Sequence, residues 1–399
     1  MVKTKTCAAL LSITLNFNVA VFASAPSNAV SGPDFSGHAA WVYDSLNVPG
    51  QARQLQAGFF IDAINDYNTQ AGRKHQISSI YSYHASMEMY CKGGAHNCSP
   101  TNLKLSFASP QHPLGKHAEK SSVARYRHGV KARDGQQPVK AVAIIDGVVN
   151  GQYQGSLKGL NELPQRLAEG FADKVSAAIC ADANIDGVQF DLEPLNLESH
   201  NGQYFFYRRI AENFAGKRDM GGINCVTSSH PAGRFFSVFA PTRALRPGSG
   251  SAANMHQITN SHRNGYMIAP IYDLDGSPLG HATPVEDYQQ MARRQLQQLN
   301  SWATQARVPF KIGIPAAASV HEYVRCAGPP CKNQGAAPDS QLAYVQALMT
   351  ALSATGVRDN TLFHGNVIWA WSRGISHGGA SFMPEAPPAE VLNYLIKNL

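Results

Sequence analysis

Residues 185–194 read I-D-G-V-Q-F-D-L-E-P, and the way this stretch is covered decides the architecture of the chain. As a β-strand its side chains alternate faces with a period of two. Val188, Phe190 and Leu192 then share an apolar face, and Gln189, Asp191 and Glu193 share the opposite one. A half-buried strand of an antiparallel sheet keeps such a polar face in water, whereas a strand of a parallel barrel is covered on both faces. The flanking sequence decides between the two.

Upstream, residues 157–183 place Leu163, Leu167, Phe171, Val175 and Ile179 at helical spacing, which predicts a helix. Residues 139–149 form a continuous apolar strand interrupted near its end by Asp146-Gly147. A strand is expected over 77–83, a helix over 51–69 and a short strand over 39–43. Downstream, helices are expected over 203–214, 284–306, 341–355 and 389–398, and strands over 235–240, 266–274, 310–317 and 366–371. About eight strands thus alternate with helices. That pattern implies an α/β protein with a parallel sheet closed into a single-domain (β/α)8 TIM barrel over residues 38–399. An open doubly wound sheet would carry a Gly-rich turn after its first strand, and none is present.

With 44% hydrophobic and 15% charged residues the chain is a folded globular protein. Lys3 and Lys5 precede a largely apolar run over residues 7–22, and Val21-Phe22-Ala23-Ser24-Ala25 offers small-residue cleavage sites after Ala23 or Ala25. Residues 1–25 therefore read as a signal peptide, followed by a flexible Ser/Pro/Gly-rich leader over 26–37. The apolar run is too short for a membrane anchor and is interrupted by Thr14, Asn16 and Asn18. A secreted or periplasmic protein without membrane insertion is expected, acting as a monomer.

Without Cys7 the mature chain holds Cys91, Cys98, Cys180, Cys225, Cys326 and Cys331, an even set that suggests disulfides in an exported protein. Proximity favours Cys91–Cys98 and Cys326–Cys331, leaving Cys180 with Cys225. Zinc is the competing use, with His96 beside Cys98, but the spacing matches no paired Cys-x-x-Cys site. No compact His spacing suggests any other metal, and no cofactor is expected. The net charge of +7 is concentrated in Lys104, Lys116, Lys120, Arg125, Arg127, Lys131, Arg133 and Lys140, opposed by Glu119 and Asp134. This reads as a solvated basic loop rather than a site for acidic ligands, and its scarcity of aromatics argues against nucleic acid.

In a barrel, Gln189, Asp191 and Glu193 face inward, and Glu193 falls at the C-terminal end of the strand, where barrel enzymes keep their chemistry. Two carboxylates two residues apart on one face repel, and one of them is driven to hold a proton, as a general acid must. A strand cap or an ion pair would look the same locally. The frame Asp186-Gly187-Val188-Gln189-Phe190-Asp191-Leu192-Glu193 resembles the Asp-Gly-x-Asp-x-Asp-x-Glu of family 18 glycoside hydrolases, the chitinases and endo-β-N-acetylglucosaminidases. Tyr272-Asp273, ending the sixth strand, resembles that family's Tyr-Asp pair, and Trp369 in the last strand its tryptophan beneath the cleaved sugar.

The resemblance implies cleavage of β-1,4 linkages beside N-acetylglucosamine, in chitin or an N-glycan core, by a substrate-assisted retaining mechanism. Glu193 would be the acid and then the base, and Asp191 would hold the N-acetyl N–H. Tyr272 and Asp273 would assist the N-acetyl oxygen, and Trp369 would underlie the sugar. Asp186 and Gly187 would be structural, and Gln189 would help bind substrate. Two positions depart from the pattern. Gln189 stands where the family has an aspartate, and Ile145-Asp146-Gly147 stands near the place of its Ser-x-Gly-Gly. Only 319–340 separate the seventh strand from its helix, too few for an inserted wall domain, so an open cleft is expected. The alternatives are a glycan-binding barrel without activity and a barrel glycosidase using a carboxylate such as Asp273 as nucleophile. Trp41 and Trp371 are expected in the core.

Overall fold

Eight parallel strands close on themselves in the structure, a computed structural model that describes residues 32–43, 50–89, 103–106, 122–131, 138–149, 156–197, 200–241, 245, 249–274, 283–317, 320, 324–326, 334–336, 340–373 and 384–399. They are β1 (His38–Tyr43), β2 (Ile77–Met89), β3 (Lys140–Val149), β4 (Gly187–Asp191), β5 (Phe235–Phe239), β6 (Gly265–Pro270), β7 (Phe310–Pro315) and β8 (Phe363–Arg373). Each pairs in parallel with the next in the chain, and β1 pairs with both β2 and β8, which shuts the barrel. Leu103–Ser106 and Pro384–Glu385 extend β2 and β8 as short antiparallel neighbours.

Around the strands lie α1 (Gly50–Gln70), α2 (Ser122–Gly129), α3 (Ser156–Asn161), α4 (Gln165–Cys180), α5 (Gly202–Phe214), α6 (Gly250–Asn260), α7 (Val285–Ala306), α8 (Gln341–Ala354) and α9 (Ala389–Asn398). The alternation in β4 follows from this layering. Val188, Phe190 and Leu192 pack outward with Phe206, Tyr207 and Phe236, while the inner cluster is built from Trp41, Tyr81, Val142, Ile144, Phe235, Tyr266, Ile268 and Val367. Trp371 belongs to the outer layer and is fully buried.

Four expectations need correction. The helix expected over 157–183 is two helices, because Pro164 has no amide hydrogen and its ring obstructs the preceding turn; it caps α4 instead. The strand expected over 266–274 ends at Pro270, so Tyr272 and Asp273 lie in the loop beyond it. Part of the basic run is helix α2, and its Arg127 is turned to a half-buried carboxylate, Asp186, rather than to solvent. Between β5 and β6 the sequence also contains α6, whose Ser249 side chain accepts from the Ala252 amide at 3.1 Å and starts the helix.

Residues 32–37, assigned to the leader from sequence, close the N-terminal end of the barrel. Phe35 stacks on Tyr266 with ring centroids 4.6 Å apart, and Lys311, fully buried, donates to the Gly37 carbonyl at 2.8 Å. Cys180 and Cys225 form a disulfide from the end of α4 to the segment before β5. Residues 1–31, Cys91, Cys98 and Cys331 lie outside the described residues, as does the side chain of Cys326. Of the loop after β7, the described part is an antiparallel pair, Val324–Cys326 with Gln334–Ala336.

Candidate active site

β4 presents its residues to two different surroundings. At its N-terminal end Asp186 accepts from the Ala141 amide at 2.8 Å and from His230 Nε2 at 3.0 Å, and it pairs with Arg127. Burial opposes its ionisation, but the hydrogen bonds from His230 and Arg127 outweigh that and hold the carboxyl below the usual range. Gly187 follows because nothing larger fits: a Cβ there would come within 2.3 Å of the Phe235 ring and 2.7 Å of its carbonyl oxygen. These two residues seat the strand and take no part at the other end.

Going up the strand, Gln189 is fully enclosed, and its Oε1 accepts from Trp41 Nε1 at 3.2 Å. Asp191, the last strand residue, is part-buried at the C-terminal mouth. Burial, then the charges of Glu193 and Asp146, push its carboxyl up to about 7. Glu193 stands two residues past it in the exposed rim, followed by a cis bond to Pro194. A carboxyl that holds a proton near neutrality thus sits beside an accessible carboxylate, an arrangement suited to proton transfer.

The opposite wall is aromatic. Tyr272 and Trp369 stack with centroids 5.8 Å apart and planes 27° apart, and Trp369 meets Trp41 edge-on at 5.3 Å. Trp41 is buried, so it supports the wall and Gln189 together rather than lining the mouth. The chain turns sharply after Tyr272, where Asp273 has φ 55°, a left-handed conformation that aspartate tolerates better than most residues. Asp273 itself is exposed. The Trp369–Ala370 peptide is cis.

Sequence reading gave no role to two contributors. Gly313 on β7 leaves the space for the wall: a Cβ there would stand 2.9 Å from Tyr272 Cε1 and 3.4 Å from Trp41 Cζ3. Asp146 on β3 lies in register beside Asp191 and accepts from Tyr83 Oη at 3.2 Å. An aspartate at an inward position of an apolar strand was the available signal for Asp146. Gly313 carried none, because its meaning depends on what two distant aromatics do. Among the described residues no group of three His, Cys, Asp or Glu side chains is placed to hold a metal ion.

No family model and no curated protein matches the chain. Solved structures do. The C-terminal domain of a candidate chitinase from Desulfitobacterium hafniense DCB-2 aligns over 90% of this chain and 98% of its own, with a TM-score of 0.50 at 12% identity. What the two share is the fold, a closed (β/α)8 barrel. A class V chitinase from Pseudomonas fluorescens Pf-5 covers 87% of this chain and 97% of its own, with a TM-score of 0.47 at 11% identity. The spore cortex-lytic enzyme SleL of Bacillus megaterium QM B1551 covers 90% of this chain and 73% of its own, with a TM-score of 0.47 at 12% identity. At such identities the shared property is the barrel, and the chemistry must be argued from the residues of this chain.

Proposed function

We propose that the protein is a glycoside hydrolase that cleaves β-1,4 linkages next to N-acetylglucosamine, in chitin or an N-glycan core, with retention and with help from the substrate's own acetamido group. The observation that carries this reading is the carboxyl of Asp191, held up to about 7 beside the exposed Glu193 at the barrel mouth. Two coupled carboxyls hold a proton between them near neutrality. Glu193, the accessible one, donates it to the leaving glycosidic oxygen as the C–O bond breaks. The acetamido oxygen attacks the anomeric carbon from the other face and forms an oxazolinium, so no enzyme carboxylate acts as nucleophile.

Asp191 accepts from the acetamido N–H and offsets the positive charge that develops there. Tyr272 donates to the acetamido oxygen, with Asp273 beside it in the same turn. The Trp369 face lies beneath the sugar ring, as aromatic platforms suit the apolar side of a pyranose. Water then attacks the anomeric carbon, gives its proton to Glu193 and restores the starting state. Gln189 contributes no charge of its own and is fixed by Trp41. Residues 319–340 are too few for an inserted wall domain, which supports an open cleft and endo action.

Export, to the periplasm or the medium, is part of the proposal. It rests on the N-terminal signal pattern and is supported by the Cys180–Cys225 disulfide, which suits an oxidising compartment. We take the protein to act as a monomer on a glycan partner, without nucleic acid.

Hydrolysis of chitin oligomers and of a high-mannose glycopeptide by wild type and Glu193→Gln tests the reading. Wild type is expected to cleave one of them and release the β-anomer, and the variant to lose activity by roughly 10²–10⁴-fold. Absence of cleavage by wild type, with oligosaccharide binding intact, favours the glycan-binding barrel instead.

A further inference from the structure

The third barrel strand carries a carboxylate that the reaction above does not use. The inward residues of β3 are Val142 and Ile144, and a period of two makes Asp146 the next. In the parallel ladder Ile144 lies beside Gln189, and Asp146 beside Asp191. Neighbouring strands are about 4.8 Å apart, and residues in register project from the same face. The two aspartates therefore leave the inner wall side by side. Asp146 is part-buried and held by the Tyr83 hydroxyl, which donates to its Oδ1 at 3.2 Å; a donor in that place favours the ionised form. Gln189, one position further in on β4, is committed to Trp41.

We propose that Asp146 supplies, from the neighbouring strand, the inner carboxylate that Gln189 removes from β4, and acts as a positioning residue that, with burial and Glu193, keeps a proton on Asp191. The inference rests on the reading of Asp191 and Glu193 as the reacting carboxyls. In the resting site the ionised Asp146 faces a protonated Asp191. As the glycosidic bond breaks, that proton passes to Glu193 and on to the leaving oxygen, so Asp191 is anionic against the oxazolinium while Asp146 stays ionised. The proton that the attacking water gives to Glu193 returns to Asp191.

The groups around Asp191 agree with this. Glu193 stands at its own strand end, Asp146 comes from β3 and Tyr83 from β2. Tyr207 on α5 keeps its phenolic proton, pushed up by burial and by the Asp191 charge. The nearest part of β5 contributes Ser237, Val238 and Phe239, which do not titrate.

The test follows the carboxyl carbon of Asp191 by NMR titration in the full-length protein, alongside the pH profile of kcat/KM. In Asp146→Asn the Asp191 midpoint is expected to fall by about one pH unit or more, with kcat about tenfold lower and the alkaline limb moved to lower pH. Tyr83→Phe should move the midpoint the same way by less, and it carries the test if Asp146→Asn fails to fold. Asp146→Asn combined with Gln189→Asp returns a carboxylate to β4 and should restore most of both. An unchanged Asp191 midpoint in the folded Asp146→Asn or Tyr83→Phe protein overturns the inference. A midpoint that moves in a protein without hydrolytic activity overturns the functional reading instead and leaves the Asp146–Asp191 coupling standing.

Discussion

The two ends of β4 hold aspartates only five positions apart, and they are handled in opposite ways. Asp186, at the N-terminal end, is satisfied by an arginine, a histidine and a backbone amide, and is held below the usual carboxylate range. Asp191, at the mouth, has carboxylates for neighbours and is raised to about 7. The first arrangement is what an architectural carboxylate needs, because a buried charge is tolerable when paired. The second stores an unfavourable interaction that a developing positive charge would relieve. The contrast extends to the rest of the barrel floor. There burial lowers Lys311 to about 7, the counterpart of what burial does to Asp191 at the top.

The sharpest way to break the comparison is to neutralise each aspartate in turn. Asp191→Asn is expected to lower kcat/KM by roughly 10²–10⁴-fold while raising the denaturation midpoint at pH 7, since it removes a carboxyl whose ionisation the folded site opposes. Asp186→Asn should do the reverse. Urea unfolding should show a loss of about 3 kcal/mol, from Arg127 and His230 left without their acceptor, and turnover per folded molecule should hold. A large activity loss in Asp186→Asn without destabilisation would erase the distinction between the two ends.

A smaller effect comes from Lys311. In the folded chain it gives up its proton near 7, against 10.5 when unfolded, so the unfolded state binds more protons between those values. Stability from this group therefore rises as pH increases from 7 towards 10.5 and is least below 7. Asp191 works in the other sense: its folded value is raised, so its contribution falls as pH rises from about 4 to 7. Lys311→Met should be more stable than wild type by about 2 kcal/mol at pH 6, allowing for its lost bond to Gly37, with the gain shrinking towards pH 10. Chemical denaturation across that range measures it. The smallest change is Gly313→Ala. Its methyl meets Tyr272 and should cost about 1 kcal/mol and raise KM a few-fold by tilting the ring.

Much of this was legible before the fold was known. The alternation in 185–194 reports a strand with two covered faces once eight strand–helix units are counted, and periodicity finds long elements such as α7 and α9 well. What escaped has local causes. The segment that forms α6 buries Ala252, Met255 and Ile258 among polar residues, a weak stripe. The helix α2 was hidden by its own charges. The break at Pro164 was visible as a proline and was overridden by the apolar spacing around it.

The sequence by itself determined the barrel class and the place of Asp191 and Glu193 at a strand end, because those properties follow from period and order along the chain; Tyr272 and Trp369 were joined to them only by the family resemblance. Only the tertiary structure decided which aspartate is paired and which is raised, that Trp41 holds Gln189 from behind the aromatic wall, and that Asp146 stands beside Asp191. Those depend on which strands lie next to each other and in what register, and in a parallel barrel the partners across a ladder are separated by an entire helix of sequence.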